Sequence, residues 1–483
     1  MKKTLLILMV SILSIGMAVT FSLTGCKGAV EEAVTEAAEE AVEEAEEAVE
    51  EVVEEPEEEE VVEEEDIFTE PTELIFWWYG EEDSPGFTEY VEASCKAYNE
   101  LHPNITVTPQ HQASDVVVPN FLAAAESQSG PDIATVWYGI YNLEQVWAEN
   151  VAPISDYVDE EELSHWIGND LATYDGKVWS SDLYAFSFVI LYYKDHFVDA
   201  GLDPDDPPVT WDEFMDTSKA LKDAGHDPFA AGFSSGWMFP LLSYYIYPQY
   251  LTFEEIKECV AGVRSFDDPE FIEVWERIGE YAEAGYFLES AASIDFVDSW
   301  FEWRAGNATI CPLPSPLAIT WIEEIGSENL GIMSFPQLTD KPVDWVPVAP
   351  IAEFITSWSP NKELAADFLV YLHSEESSNR MVEILDGQNF PADDRFDINM
   401  IKDPLKRQLA EWTYTGFENG TFFTDAVIPY APMGEGMIPV GQLVILGDIS
   451  PEDGAAQMEA AAEEWRTLSP EVFETYKIWA GIE

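Results

Sequence analysis

The chain has 483 residues, 47% of them hydrophobic, with 95 acidic side chains against 21 basic ones and a formal charge of −74. A surface this acidic repels nucleic acid and anionic lipid, so no nucleic-acid partner is expected. The apolar content is ample for folding, and the length beyond residue 66 exceeds what one core organises, so two domains are expected there.

The first 26 residues have the layout of an export signal. Lys2 and Lys3 give a positive start, and residues 4–21 supply an apolar stretch. The stretch ends in Leu23-Thr24-Gly25-Cys26, which resembles the lipobox of bacterial lipoproteins. That resemblance implies cleavage before Cys26 and a diacylglycerol on its sulfur. The expected location is the extracytoplasmic face of the cell membrane, held by the lipid anchor. No later segment offers the roughly 20 apolar residues of a membrane helix. Residues 27–66 are a Glu/Ala/Val segment with 21 acids and one base, Lys27. Val30, Val34, Ala38, Val42, Ala45 and Val49 recur near the helical period, but like charge at this density opposes compaction. The segment is read as a solvated tether, with a helical stalk as the alternative. Cys95, Cys259 and Cys311 are odd in number and lack metal-ligand spacing, so at most one disulfide can form among them and no metal or cofactor is expected.

Past the tether, Leu74-Ile75-Phe76-Trp77-Trp78-Tyr79 is a continuous apolar run ending at Gly80, the pattern of a buried strand in a parallel sheet. Phe87, Val91, Ala97, Tyr98 and Leu101 then share a helical face, and Pro103 ends that helix. Residues 105–108 read as a strand, 119–127 as a helix and 132–136 as a third strand. This alternation predicts an α/β fold with a parallel sheet. Residues 186–193 form another strand. Thr210-Trp211-Asp212-Glu213 is a capping box, and Ser359-Pro360 is expected to open a further helix.

Several of these segments together resemble a known family. They include His102-Pro103-Asn104-Ile105-Thr106-Val107, Gly130-Pro131-Asp132-Ile133, Tyr174-Asp175-Gly176-Lys177-Val178-Trp179 and Leu191-Tyr192-Tyr193-Lys194-Asp195. Pro208-Val209-Thr210-Trp211-Asp212-Glu213-Phe214, Ser359-Pro360-Asn361-Lys362-Glu363-Leu364-Ala365 and Gly447-Asp448-Ile449-Ser450-Pro451-Glu452-Asp453 complete the series. In order and combination they resemble bacterial extracellular solute-binding proteins of the carbohydrate group, related to maltose-binding proteins. The resemblance implies a two-lobed type II periplasmic-binding-protein fold with the ligand in the cleft between the lobes. It assigns residues 67–185 and 333–385 to one lobe and 186–332 and 386–483 to the other, with 184–188 as the first hinge crossing. It also implies a soluble carbohydrate as ligand and the membrane subunits of an ABC importer as partner, with a monomer expected.

Sugars stack their C–H faces on aromatic rings and place hydroxyls on polar side chains, and in open α/β sheets ligands sit beyond the carboxyl ends of strands. The candidates are therefore Trp78, Tyr79 and Glu81 after the first strand, Asp115 after the second, and Trp137 and Tyr138 after the third. Tyr184 near the hinge, Trp237 in Ser234-Ser235-Gly236-Trp237, and Trp345 complete the set. Trp300 and Trp303 fit core packing as well as binding. Gly232-Phe233-Ser234-Ser235-Gly236 also fits the G-x-S-x-G elbow of α/β-hydrolases, with His373 the only later histidine. Adjacent Tyr192 and Tyr193 match an iron-binding pair of other solute-binding proteins. The alternatives to a sugar importer component are therefore an anchored carbohydrate-active hydrolase and a receptor for a non-sugar solute such as a polyamine or peptide.

Overall fold

The computed structural model describes residues 67–81, 84–113 and 116–482, so Cys26, the tether and Asp115 lie outside the described residues. Residues 67–483 form one compact unit. Its strands are β1 (Thr72–Trp78), β2 (Ile105–His111), β3 (Ile133–Thr135), β4 (Val151–Ala152), β5 (Thr173–Tyr174), β6 (Lys177–Val178), β7 (Ser181–Tyr193), β8 (Asp227–Phe229), β9 (Ala308–Pro314), β10 (Leu330–Met333) and β11 (Val348–Thr356).

The apolar run of β1 pairs in parallel with β2, from Thr72↔Ile105 to Trp78↔His111, and with β3 through Phe76↔Ile133. β11 then enters antiparallel, with Phe354 opposite Ala134, so the sheet is mixed rather than parallel throughout. From Leu183 onward the residues of β7 other than Ser187 are aromatic or aliphatic on both faces, as a strand covered on both sides requires. It runs farther back than residue 186, to Ser181, and changes partners along its length. Residues up to Ser187 pair with β11, while Phe188 onward pairs with β9 and Ile190 onward with β10. β8 joins β9 in parallel. One 13-residue strand therefore carries the chain from a first α/β layer into a second.

Each layer has its own core. In the first, the helix Phe87–Leu101 buries Phe87, Tyr90, Val91, Ser94, Cys95 and Tyr98, a helical spacing, and stops at His102 before Pro103. Tyr98 packs edge-on to Phe368, and the Tyr90 hydroxyl lies 3.1 Å from that of Ser377, which docks the helices Lys362–Leu372 and Glu375–Leu385. In the second layer Thr210 and Glu213 form the expected reciprocal cap of the helix Trp211–Ala224. Asp175 and Gly176 both have positive φ, 51° and 71°, which builds the two-residue turn between β5 and β6.

Ser359-Pro360 does not open its helix directly. The helix begins at Lys362, with Asn361 at its N-cap making no side-chain cap bond. The Ser359 hydroxyl instead accepts the Asn361 amide and donates to the buried Asp132, whose other oxygen takes the Ile75 amide. Serine here ties the helix start to the sheet. Cys95, Cys259 and Cys311 are all free and buried.

Candidate functional site

The two layers meet where the end of β3 closes on residues 421–426. After the helix Pro404–Glu418, Gly420 turns the chain with φ 65°. Thr421 donates to the Val346 carbonyl at 2.9 Å, the Val348 amide donates to the Thr421 carbonyl, and the Phe423 amide donates to the Val348 carbonyl, which pins the segment beside the start of β11. Opposite it, Gly139 has φ 62° and lies so close that a Cβ there would sit 2.3 Å from the Ala426 carbonyl oxygen. Only glycine permits that approach, and it brings Tyr138 onto Asp425.

The Tyr138 hydroxyl donates to Asp425 Oδ1 at 2.6 Å, and Tyr244, from the helix Met238–Tyr250, lies close enough to act on the same carboxylate. Burial pushes the Asp425 carboxyl up to about 6, although both phenols and nearby backbone amides pull it down. Burial, followed by the charge of Asp425, pushes the phenols of Tyr138 and Tyr244 well above their ordinary value. Rings surround the carboxylate. Phe423 stacks on Tyr244 with centroids 4.5 Å apart and meets Phe188 at 5.4 Å and Phe186 at 6.1 Å. Phe188 continues to Trp300 at 6.1 Å. Trp137, Tyr141 and Phe186 are partly exposed, and Tyr430 is 56% exposed. The seam is therefore an aromatic surface with one accepting carboxylate at its centre, suited to a solute with flat apolar faces and many hydroxyls.

The structure divides the sequence candidates. Tyr138 is a partner of Asp425, and Trp137 meets Tyr141 edge-on at 5.5 Å. Trp237 is partly exposed in the turn where Gly236 approaches Ile438, beside the π-helical turn Met433–Met437. Such turns often mark functional positions. Trp345 is buried before Val346, whose carbonyl holds Thr421.

The candidates after β1 are placed otherwise than expected. Trp78 is 1% exposed and packs against Phe87 and His111. Tyr184 is equally buried and packs edge-on to Phe87 at 4.9 Å, and Tyr79 is buried in the same core. Alternation along β1 leaves Trp77 the more open ring, with its indole N–H on Gln110. Glu81 accepts the amides of Gly86 and Thr88 and the Thr88 hydroxyl. Burial raises its carboxyl, but these bonds and His111 outweigh that and hold it below its ordinary value, so it serves a helix start.

The rival motifs are taken apart. Ser234 is exposed, whereas His373 is buried and stacked on Trp166 at 4.1 Å beside Glu353. Tyr192 donates to the Pro204 carbonyl and Tyr193 to that of Arg304, so neighbouring side chains point to different partners. No group of three metal-ligating side chains occurs among the described residues. A cavity of about 540 Å³ beside β10, lined by Lys194, Gln337 and Trp412, shares no residue with the seam. Sequence reasoning missed Asp425, Tyr244, Phe423 and Tyr430. The signal available for them was the pair Phe422-Phe423 followed by an acid, in a stretch without periodicity.

Two α/β layers bridged by a shared strand, with a polar and aromatic seam between them, define a type II periplasmic binding protein. Residues 80–378, more than half of the chain, match the family described as bacterial extracellular solute-binding protein, and the chain belongs to that family. Family members are binding proteins, and among the described residues no helix is long and apolar enough to cross a membrane.

Among curated relatives, the sn-glycerol-3-phosphate-binding periplasmic protein UgpB of Brucella abortus is 27% identical over 175 residues, 35% of this chain and 39% of that one. Its counterpart in Agrobacterium fabrum is 26% identical over 172 residues, 34% of this chain and 38% of that one. The chain thus spans about two fifths of the length of these relatives. A solved chitin oligosaccharide binding protein superposes with a TM-score of 0.70 at 18% identity, over 81% of this chain and 98% of that one. The cyclic alpha-maltosyl-1,6-maltose binding protein of Arthrobacter globiformis gives 0.66 at 17% identity, over 82% and 98%. At these identities the likeness is one of fold.

Proposed function

We propose that this chain binds a sugar or oligosaccharide outside the cytoplasmic membrane and delivers it to the membrane subunits of an ABC importer. The observation that carries this is the seam, where rings from both layers converge on Asp425. Residues 67–185 with 333–385 act as one lobe and 186–332 with 386–483 as the other. A sugar touching both favours the closed arrangement, and the importer reads that shape. No covalent step is required. The lipid on Cys26 holds the monomeric protein at the membrane, and the acidic segment 27–66 spaces it from the lipid surface.

A thermal-shift screen of neutral oligosaccharides tests the binding function, because a tight ligand raises the melting temperature by mass action. Failure of every sugar to shift it would refute this function. Mass spectrometry of the native N-terminus tests the anchor, with a diacylglycerol adduct on Cys26 expected. A second function, binding of sn-glycerol 3-phosphate, is suggested by the name of the curated relatives.

A further inference from the structure

We propose that Asp425 is the polar anchor of the ligand site and restricts it to uncharged, hydroxyl-rich solutes, an assignment that rests on the sugar-binding function above. The Tyr138 hydroxyl reaches this carboxylate from the end of β3, and Tyr244, from the helix Met238–Tyr250, is close enough to feel its charge. A carboxylate offers about four acceptor positions, so the Tyr138 phenol leaves room for sugar hydroxyls at its partly exposed edge.

The charges around it decide the class of solute. The segment after β3 and the helix Ile140–Trp147 contribute Tyr138, Tyr141 and Glu144. The helix Met238–Tyr250 contributes Tyr244, and Tyr430 follows from the stretch after Asp425. The groups acting on Tyr141 are Asp425, Glu144 and Tyr430, and those acting on Tyr244 are Asp425 and Tyr141, with no cation in either set. Burial already raises the Glu144 carboxyl. A phosphate dianion placed here would lose its hydration beside two carboxyl groups and gain no positive partner. A sugar hydroxyl would instead donate to Asp425 while its ring lies on the surrounding aromatics. The selectivity therefore departs from the solute named for the curated relatives.

Calorimetry on the mature full-length chain tests this with a maltooligosaccharide, a chitooligosaccharide, sn-glycerol 3-phosphate and spermidine. A neutral oligosaccharide is expected to bind, and the phosphate and the polyamine are not. Asp425→Asn keeps the shape but loses the charge-assisted bonds, so its affinity should fall roughly ten- to a hundredfold while it still melts cooperatively. Wild-type affinity should also fall as the pH drops below about 6, where the carboxyl takes up its proton, and the variant should lack that dependence. Equal affinity in wild type and Asp425→Asn would overturn the anchor and leave the sugar-binding function standing. Binding of sn-glycerol 3-phosphate or spermidine in place of sugar would overturn both, and so would binding of none of the four together with no response to any sugar of the thermal-shift screen. Should Asp425→Asn fail to fold, the wild-type profile decides: constant affinity between about pH 5 and 8 overturns the anchor.

Discussion

Two aromatic clusters in this molecule look alike in composition and differ in what lies among them. The rings of Trp78, Tyr90 and Tyr184 each pack on Phe87 within 6 Å, and each is at most 1% exposed. Around Phe423, the rings of Tyr138, Phe186, Phe188 and Tyr244 lie 4.5 to 6.1 Å away, but a carboxylate sits among them and partly exposed rings lie at the margin. Desolvating a carboxylate opposes folding, so a core has no use for one unless it does something there. Aromatic wealth therefore does not mark a binding site by itself. What singles out the proposed site is a half-buried acid with a phenol partner, next to open rings.

The largest effect expected from this difference is on stability alone. Trp78→Ala removes a ring enclosed by the first cluster and should cost about 3–5 kcal/mol, measured by denaturant melts of the mature protein. Ligand affinity of the fraction that remains folded should be unchanged. A variant that folds normally and loses the sugar would move the site to the end of β1.

The next effect is a pH dependence of stability at the second cluster. The Asp425 carboxyl titrates near 6 in the folded chain against an ordinary value of 3.8. A raised carboxyl means that the folded state holds its proton longer than the unfolded one. Its contribution is therefore most favourable below 3.8, declines as the pH rises to about 6, and is constant above that. At about 1.4 kcal/mol per unit the decline is at most about 3 kcal/mol, reduced by solvent at the open edge. Asp425→Asn should abolish it, so the variant should gain on wild type from acid to neutral pH. Parallel curves for the two proteins would mean that burial of this carboxylate costs the fold nothing.

A smaller effect should appear in binding. Trp137 is partly exposed and meets Tyr141 edge-on, which suits a ring that stacks a sugar. Stacking is worth about 1–3 kcal/mol per ring where bases lie on aromatics, and a pyranose offers a comparable apolar face. Trp137→Ala should therefore weaken the sugar roughly fivefold to a hundredfold in calorimetry and leave the melting midpoint nearly in place. Unchanged affinity would exclude Trp137 from the site.

Much of the fold was legible because it is written in periodicity. The run 74–79, the helical face from Phe87 to Leu101 and the Thr210–Glu213 cap each declare their structure locally. The antiparallel entry of β11 was not legible, since it depends on a partner some 200 residues away. The proposed site was legible where a candidate residue follows a strand, as Trp137 and Tyr138 follow β3. It was not legible at Asp425, whose significance comes from Gly139 admitting the Ala426 backbone, a contact between segments 287 residues apart. Alternation along β1 was recognised, but which of Trp77 and Trp78 faces the core is set by the helix Phe87–Leu101, not by the strand itself.

The smallest expected effect tests the hydrolase motif. In an esterase elbow the serine needs a histidine in hydrogen-bond reach. Here the Ser234 side chain is exposed, and its backbone amide donates to the Ile294 carbonyl. His373 lies against Trp166 and within 3.6 Å of Glu353, in the layer of β11, where its ring is enclosed. The glycines of the motif have structural work instead. A Cβ on Gly232 would lie 2.1 Å from the Asp295 carbonyl oxygen, and one on Gly236 2.7 Å from that of Ile438. They let the turn bearing Trp237 pack against two neighbouring segments, which accounts for the pattern without a nucleophile between them. Ser234→Ala should therefore change stability by less than about 0.5 kcal/mol and leave sugar affinity unaltered, and chromatography of the bound sugar should recover it intact with either protein. Cleavage by wild type that disappears in Ser234→Ala would make this turn, and not the Asp425 seam, the reactive part of the molecule.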